Sequence, residues 1–297
     1  MTGVEARVRP MEASDLAAVA RLTDAAFARI IGELTGREPA APLMPPLLHS
    51  TRLATDPAGC LVACDTEGEI TGAIYSIARG TLGWFGPLAV SPAIQGRGVG
   101  QTLIAACLEG LRVRGVRLIG LETFAESPFH VHLYAKFGFR PSWTGVGFRK
   151  TVAPVPPPSG VREDTTVPDL GFVYEGLDVG AEIAVAAGHA VGTTFTTDGG
   201  VAICHFAPTF EGAGTGFLPF IAASSRPDFR RLLDAAEGAC ADRGLTALSV
   251  HVPGSSWQTI DELVSRGYRS GRVGVRMKLG ENPNYDGGDF FYADNWL

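Results

Sequence analysis

Residues 87–105 read PLAVSPAIQGRGVGQTLIA, and within them Gln95-Gly96-Arg97-Gly98-Val99-Gly100 places glycine at every second position directly before an apolar, helix-like run. Glycine costs roughly 0.5–1 kcal/mol relative to alanine inside regular structure, so the cluster needs a cause. It is a flexible loop, a tight turn, or a place where something approaches bare backbone. Upstream, Gly83 to Val90 is an apolar strand that runs into the glycines. Downstream, Leu103, Ile104, Cys107, Leu108 and Leu111 make one buried stripe of a helix that ends near Gly115.

The surrounding pattern extends this unit in both directions. Ala6 to Met11 is a strand, and Ser14 or Asp15 caps a helix with Leu16, Val19, Leu22, Ala26, Phe27 and Ile30 on one face. The proline-rich stretch Glu38 to Pro46 breaks it, and a short helix follows over Leu47 to Ala54. Cys60 to Asp65 and Ile70 to Ala78 flank a polar turn and form a hairpin. After the glycine-led helix, Val116 to Phe124 reads as a strand buried on both faces. Ser127-Pro128 is an N-cap and first-turn proline, starting a helix that stops at Gly138, and Trp143 to Val152 closes the half as a strand. The order predicts an α/β (α+β) layer built on a mixed, mostly antiparallel sheet flanked by helices.

Ala153 to Ser159, APVPPPS, is a stiff linker. Beyond it the order recurs: Thr193 to Thr197 and Val201 to Phe206 repeat the hairpin, Phe217 to Ala222 the strand, and Phe229 to Ala241 the helix. Leu245 to Val252 repeats the next strand and Trp257 to Ser265 the last helix. Gly115 and Gly244 stand 129 positions apart, as do Gly138-Phe139 and Gly267-Tyr268, whereas Pro87 and Pro219 are 132 apart. Three residues are therefore missing from the second copy where the first carries its glycines. Since the second copy turns strand into helix without them, the glycines serve a ligand better than they serve the turn. The expected organisation is residues 1–152, a linker over 153–170, a second copy over 171–280 and an acidic, aromatic tail over 281–297.

Successive bare amides at a helix start suit a phosphate or pyrophosphate. A dinucleotide fingerprint would need glycine where Gln101 stands, and Gly-Lys-Ser/Thr is absent. Gln-x-x-Gly-x-Gly after Leu88-Ala89-Val90-Ser91-Pro92 resembles the acyl-coenzyme A pyrophosphate loop of the GNAT superfamily of N-acetyltransferases. Leu133-Tyr134-Ala135-Lys136-Phe137-Gly138-Phe139 is similar to the family's second signature, a helix ending in Tyr-x-x-x-Gly-Phe. The resemblance covers about the first 150 residues and implies two GNAT-like units, the second degenerate. It implies acetyl-CoA as acyl donor, its pyrophosphate on the amides of Gln95, Gly96, Arg97, Gly98, Val99 and Gly100. Its pantetheine arm would pair with the backbone of Leu88, Ala89 and Val90. Ser127 corresponds to the family's asparagine, although its N-cap role explains it without a ligand.

Acetyl transfer to an amine needs a neutral nucleophile, a polarised carbonyl and a proton for the leaving thiolate. Tyr134 matches the family's tyrosine near the coenzyme sulfur and is assigned as general acid. Glu122 is a candidate base if desolvation raises its pKa, and a solvent-facing strand end otherwise; both readings stand. His130 is a second candidate for proton transfer, since it shares a helix face with Tyr134 and imidazole suits that task near neutral pH; His132 points away, so the two histidines make a poor metal pair. Cys60 and Cys64 share a strand face without further ligands, which favours buried thiols over zinc. No metal is expected. Leu263 stands where the second copy would carry the tyrosine, so that half is not expected to bind coenzyme. Its open roles are to cover the first half, to shape the acceptor pocket or to form a homodimer.

The formal charge of −6 and the lack of a basic stripe argue against nucleic acid. No run of about 18 apolar residues is present, and five scattered cysteines suit a reducing compartment, which leads to a cytoplasmic expectation. The resulting expectation is an N-acetyltransferase acting on a small-molecule or peptide amine through its first half. The alternative is a non-catalytic acyl-CoA-binding or sensing protein.

Overall fold

The computed structural model describes residues 6–37, 39, 43–166, 168–280 and 288–295. The expectations for residues 281–287 and 296–297 of the tail lie outside these. The first half comprises β1 (Arg7–Pro10), α1 (Leu16–Thr35), α2 (Pro46–Thr55), β2 (Cys60–Cys64), β3 (Ile70–Arg79) and β4 (Leu82–Val90). It continues with α3 (Val99–Val113), β5 (Leu118–Phe124), α4 (Pro128–Ala135) and β6 (Arg140–Thr151). The second half comprises β7 (Arg162–Glu163), α5 (Gly180–Gly188), β8 (Gly192–Thr197), β9 (Gly200–His205) and β10 (Thr215–Ala223). It ends with α6 (Arg226–Asp242), β11 (Ala247–Pro253), α7 (Trp257–Ser265), β12 (Arg269–Leu279) and β13 (Phe291–Asp294).

All strands join one sheet in the order β1-β2-β3-β4-β5-β12-β6-β11-β10-β9-β8-β7, with β13 attached to β10. Among the described residues only β4 with β5 and β10 with β11 pair in parallel. The mixed, helix-flanked architecture agrees with the α/β expectation. The closing strand of the first half differs from it. β6 does not pair with β5; it pairs with β11 of the second half and with β12. β12 in turn lies beside β5, Arg276 opposite Glu122 and Gly274 opposite Phe124. The two halves have thus exchanged their final strands, and the physical reason is edge satisfaction: β6 and β12 each gain a partner on both sides. Packing follows the exchange, since Met277 of β12 joins the core under α3 and Phe148 of β6 joins the core under α6.

A bulge bends the central strand of each half. Ile74 pairs with Leu88 and Ser76 with Phe85, so Gly86 and Pro87 together oppose the single residue Tyr75. In the second half Leu218 and Pro219 oppose Cys204. Such an insertion turns a strand away from its neighbour. β4 pairs with β5 only over Leu82–Trp84, after which Phe85–Val90 has no strand on that edge among the described residues. β10 likewise pairs with β11 only over Thr215–Leu218, but there the wedge is filled. β13 lies along Phe220–Ala223, with Phe291 opposite Ala223 and Asp294 opposite Phe220. All four β13 residues are buried.

Candidate functional site

The open wedge of the first half is the inner end of a cavity of about 1060 Å³. Its walls carry Leu88 and Val90 of β4, the glycine loop, Tyr134 of α4, Phe27 of α1, and from the second half Phe217, Ser249 and His251. The loop Ser91–Gly98 begins with a short 3-10 turn over Pro92–Ile94. Gly96 and Gly98 then take φ values of +79° and +94°, a region that side chains other than glycine avoid. A Cβ at either would meet nothing within 4 Å, so packing does not demand glycine there. Backbone conformation does, and it leaves open space in front. No N–H of residues 95–98 donates a hydrogen bond inside the chain among the described residues. With the first turn of α3 behind it, this is a cradle for an anion, and its donors fit a pyrophosphate. The second half joins β10 to α6 through Ser224 and Ser225 alone, with Ser225 capping Asp228 N–H.

Of the other binding candidates, the Gln95 side chain turns back, its Nε2 donating to the Val90 carbonyl at 3.0 Å. Arg97 is exposed. Ser127 does occupy the N-cap position of α4, but its side chain caps no backbone amide; Oγ lies 2.6 Å from His130 Nδ1. The N-cap account of this serine is corrected accordingly. His130 lines the cavity, and burial pushes its pKa down against the pull of Glu33. His132, expected to point away, also borders the cavity. No group of three potential metal ligands occurs among the described residues. All five cysteines are buried and unpaired.

Tyr134 is buried edge-on against Phe85 and Phe139, with ring centroids 5.7 and 6.4 Å away. Burial raises its phenol above the ordinary tyrosine value, so the hydroxyl keeps its proton.

Glu122 overturns the expectation of a raised pKa. Burial does push it upward, but the hydrogen bond from His251 and the charges of Arg276 and Arg272 outweigh burial and bring it down to about 2. Its Oε1 lies 2.7 Å from His251 Nε2, and Arg276 Nε donates to its Oε2 at 3.0 Å. A carboxylate held in this way accepts hydrogen bonds and is a poor proton acceptor near neutrality.

A family model described as the acetyltransferase (GNAT) family matches residues 27–139, a stretch that begins in α1 and ends just after α4. Those residues belong to the GNAT acetyltransferase family. Among curated proteins, a mycothiol acetyltransferase of Nocardia farcinica is 33% identical over 99 residues, 31% of this chain and 33% of that protein. Another from Cellulomonas flavigena is 33% identical over 116 residues, 35% of this chain and 31% of that protein. The chain therefore matches about a third of the length of these relatives. A solved structure from Pyrococcus horikoshii, described as an acetyltransferase, superposes with a TM-score of 0.73 at 18% identity, over 98% of this chain and 95% of that one. A tandem GNAT protein from the clavulanic acid biosynthesis pathway superposes at 0.57 with 16% identity, over 94% and 99%. Both show that the fold, duplicated halves included, recurs.

The GNAT region is completed by residues that reading the sequence missed: His251, Arg276, Asp294, Gly145 and Gly274. β12 and β6 lie between β5 and β11, and at the crossing they present Gly274 opposite Gly145. A Cβ at either glycine would overlap the Glu122 carboxylate. The bare backbone is what lets Glu122 and His251 meet across two strands. A signal existed, because Glu122 and His251 stand 129 positions apart, the offset of the repeat itself. Gly274→Ala is expected to drive the pinned carboxylate off its partners and cost about 1–3 kcal/mol, read as a lower urea midpoint at unchanged slope.

Proposed function

We propose that the protein is an N-acetyltransferase that moves an acetyl group from acetyl-CoA to a primary amine, using the first half's wedge alone. The observation that carries this reading is the contrast between the two wedges. One is open, floored by free amides and flanked by Tyr134; the other holds β13 and lacks the loop. Leu263, fully buried in α7, stands where the second half would need the phenol. In the open wedge the pyrophosphate rests on residues 95–100 and the pantetheine arm runs along the free edge of Leu88, Ala89 and Val90. The amine enters from the side of α1 and α2, where Phe27, Met44 and Leu48 line the cavity. Tyr134 gives its proton to the leaving thiolate. His130, bonded to Ser127, borders the same space.

Calorimetric titration with acetyl-CoA, paired with a thiol-release assay over alkylamines, aminosugars and peptides with free N-termini, tests this. One site per chain and release dependent on an amine are expected. Two sites would overturn the assignment to the first half. Binding without release would favour an acyl-CoA sensor.

A further inference from the structure

We propose that His251, supplied by the second half, is the general base of the amine-acetylating site, and that Glu122 is the positioning residue that aims it. The inference rests on the acetyl-transfer reading above. His251 is 4% exposed and lines the same cavity as Tyr134 and the glycine loop. Its Nε2 faces Glu122 Oε1 at 2.7 Å, and a carboxylate held ionised accepts from an N–H. The ring is thereby fixed as the tautomer with hydrogen on Nε2, which leaves the lone pair on Nδ1. Among the described residues Nδ1 has no hydrogen-bond partner. It lies over bare backbone, 3.5 Å from where a Cβ of Gly147 would stand. A pinned carboxylate, the imidazole it holds and an unpartnered Nδ1 on a residue that lines the cavity make the arrangement of an oriented base.

The charged groups around the ring come from every neighbouring element: Glu122 of β5, Arg149 of β6, Arg272 and Arg276 of β12, Asp294 of β13, and Glu211 before β10. Arg276 is committed to Glu122 and Asp294, so the carboxylate is held from both ends. His130 offers a weaker alternative. Its Nδ1 is tied to Ser127, and no carboxylate bonds its ring among the described residues.

The proton balance is complete without a further reactant. Nδ1 takes one proton from the bound ammonium, and the neutral amine attacks the thioester carbonyl carbon. The C–N bond forms as the C–S bond breaks. The thiolate takes the Tyr134 proton, the second proton shed by nitrogen restores the phenol, and Nδ1 releases its proton to solvent. The products are the N-acetyl amide, coenzyme A thiol and one proton.

The test uses the full chain and the amine that supports the fastest thiol release. His251→Gln is expected to lower kcat/KM about 100-fold, leave calorimetric acetyl-CoA binding unchanged, and remove the acidic limb of the pH profile. Glu122→Gln should shift that limb and lower kcat, which loss of a merely structural contact would not do. Nitrogen-15 spectra of the wild type should show His251 Nδ1 as the unprotonated nitrogen at pH 8, a readout independent of whether a variant folds. A His251→Gln rate within twofold of wild type, removal of the limb by His130→Gln instead, or a protonated Nδ1 would each overturn the proposal. A wild type that binds acetyl-CoA but acetylates no amine would overturn the acetyl-transfer reading, and this one with it.

Discussion

Asp294→Ala is expected to cost about 3–5 kcal/mol of folding free energy, because it strips the shared anion from between two buried guanidinium groups. Asp294 is fully buried in β13; Arg276 donates to its Oδ1 at 2.7 Å, Arg79 reaches its Oδ2 at 3.4 Å, and the Tyr292 hydroxyl bonds the same oxygen. Arg79 continues the chain to Glu182 of α5 at 2.6 Å, and Arg276 continues it to Glu122. Glu182, Arg79, Asp294, Arg276, Glu122 and His251 thus form one line of buried polar groups that passes twice from the second half into the first and back. Removing one member leaves uncompensated charge in a low-dielectric core, which costs far more than an exposed pair would. Total stability of a domain is about 5–15 kcal/mol, so the loss is a large share. Urea denaturation followed by circular dichroism measures it; an unchanged midpoint would mean that the network contributes little.

Tyr134→Phe is expected to lower turnover about 1000-fold while leaving acetyl-CoA affinity intact. The ring packs edge-on against Phe85 and Phe139, and phenylalanine keeps those contacts. Only the hydroxyl is lost, and with it the proton for the departing thiolate. Steady-state thiol release and calorimetry on the same preparation separate the two quantities. A variant with wild-type turnover would remove Tyr134 from the chemistry.

The strand, glycine loop and helix at the centre of the first half were legible because local rules govern them: a short apolar strand, positive-φ glycines, a 3.6-residue stripe. The repeat was legible for the same reason, as glycines and aromatics recur at one offset. β12 was not, since Arg269–Leu279, RSGRVGVRMKL, interrupts the alternation expected of a strand with glycines and cations. Each exception has a partner far away in the chain: Gly274 makes room for Glu122, and Arg276 meets Glu122 and Asp294. β13 is four residues inside an acidic, aromatic tail, too short for a periodic signal. The ionised state of Glu122 was hidden for a related reason. Burial alone predicts a raised pKa, and only the fold reveals the cations that reverse it.

The strand exchange also sets the order in which the molecule can become functional. β5 acquires its second neighbour only from residues 269–279, and Arg276 lies 154 positions from the Glu122 it binds. A nascent chain that has emerged only through the first half has the glycine loop but an unpaired β5 edge and no His251. Contacts of such span form late and slowly. The completed cleft therefore marks a chain made at least through β13, and a product terminated before β11 carries the glycine loop without the groups beside it.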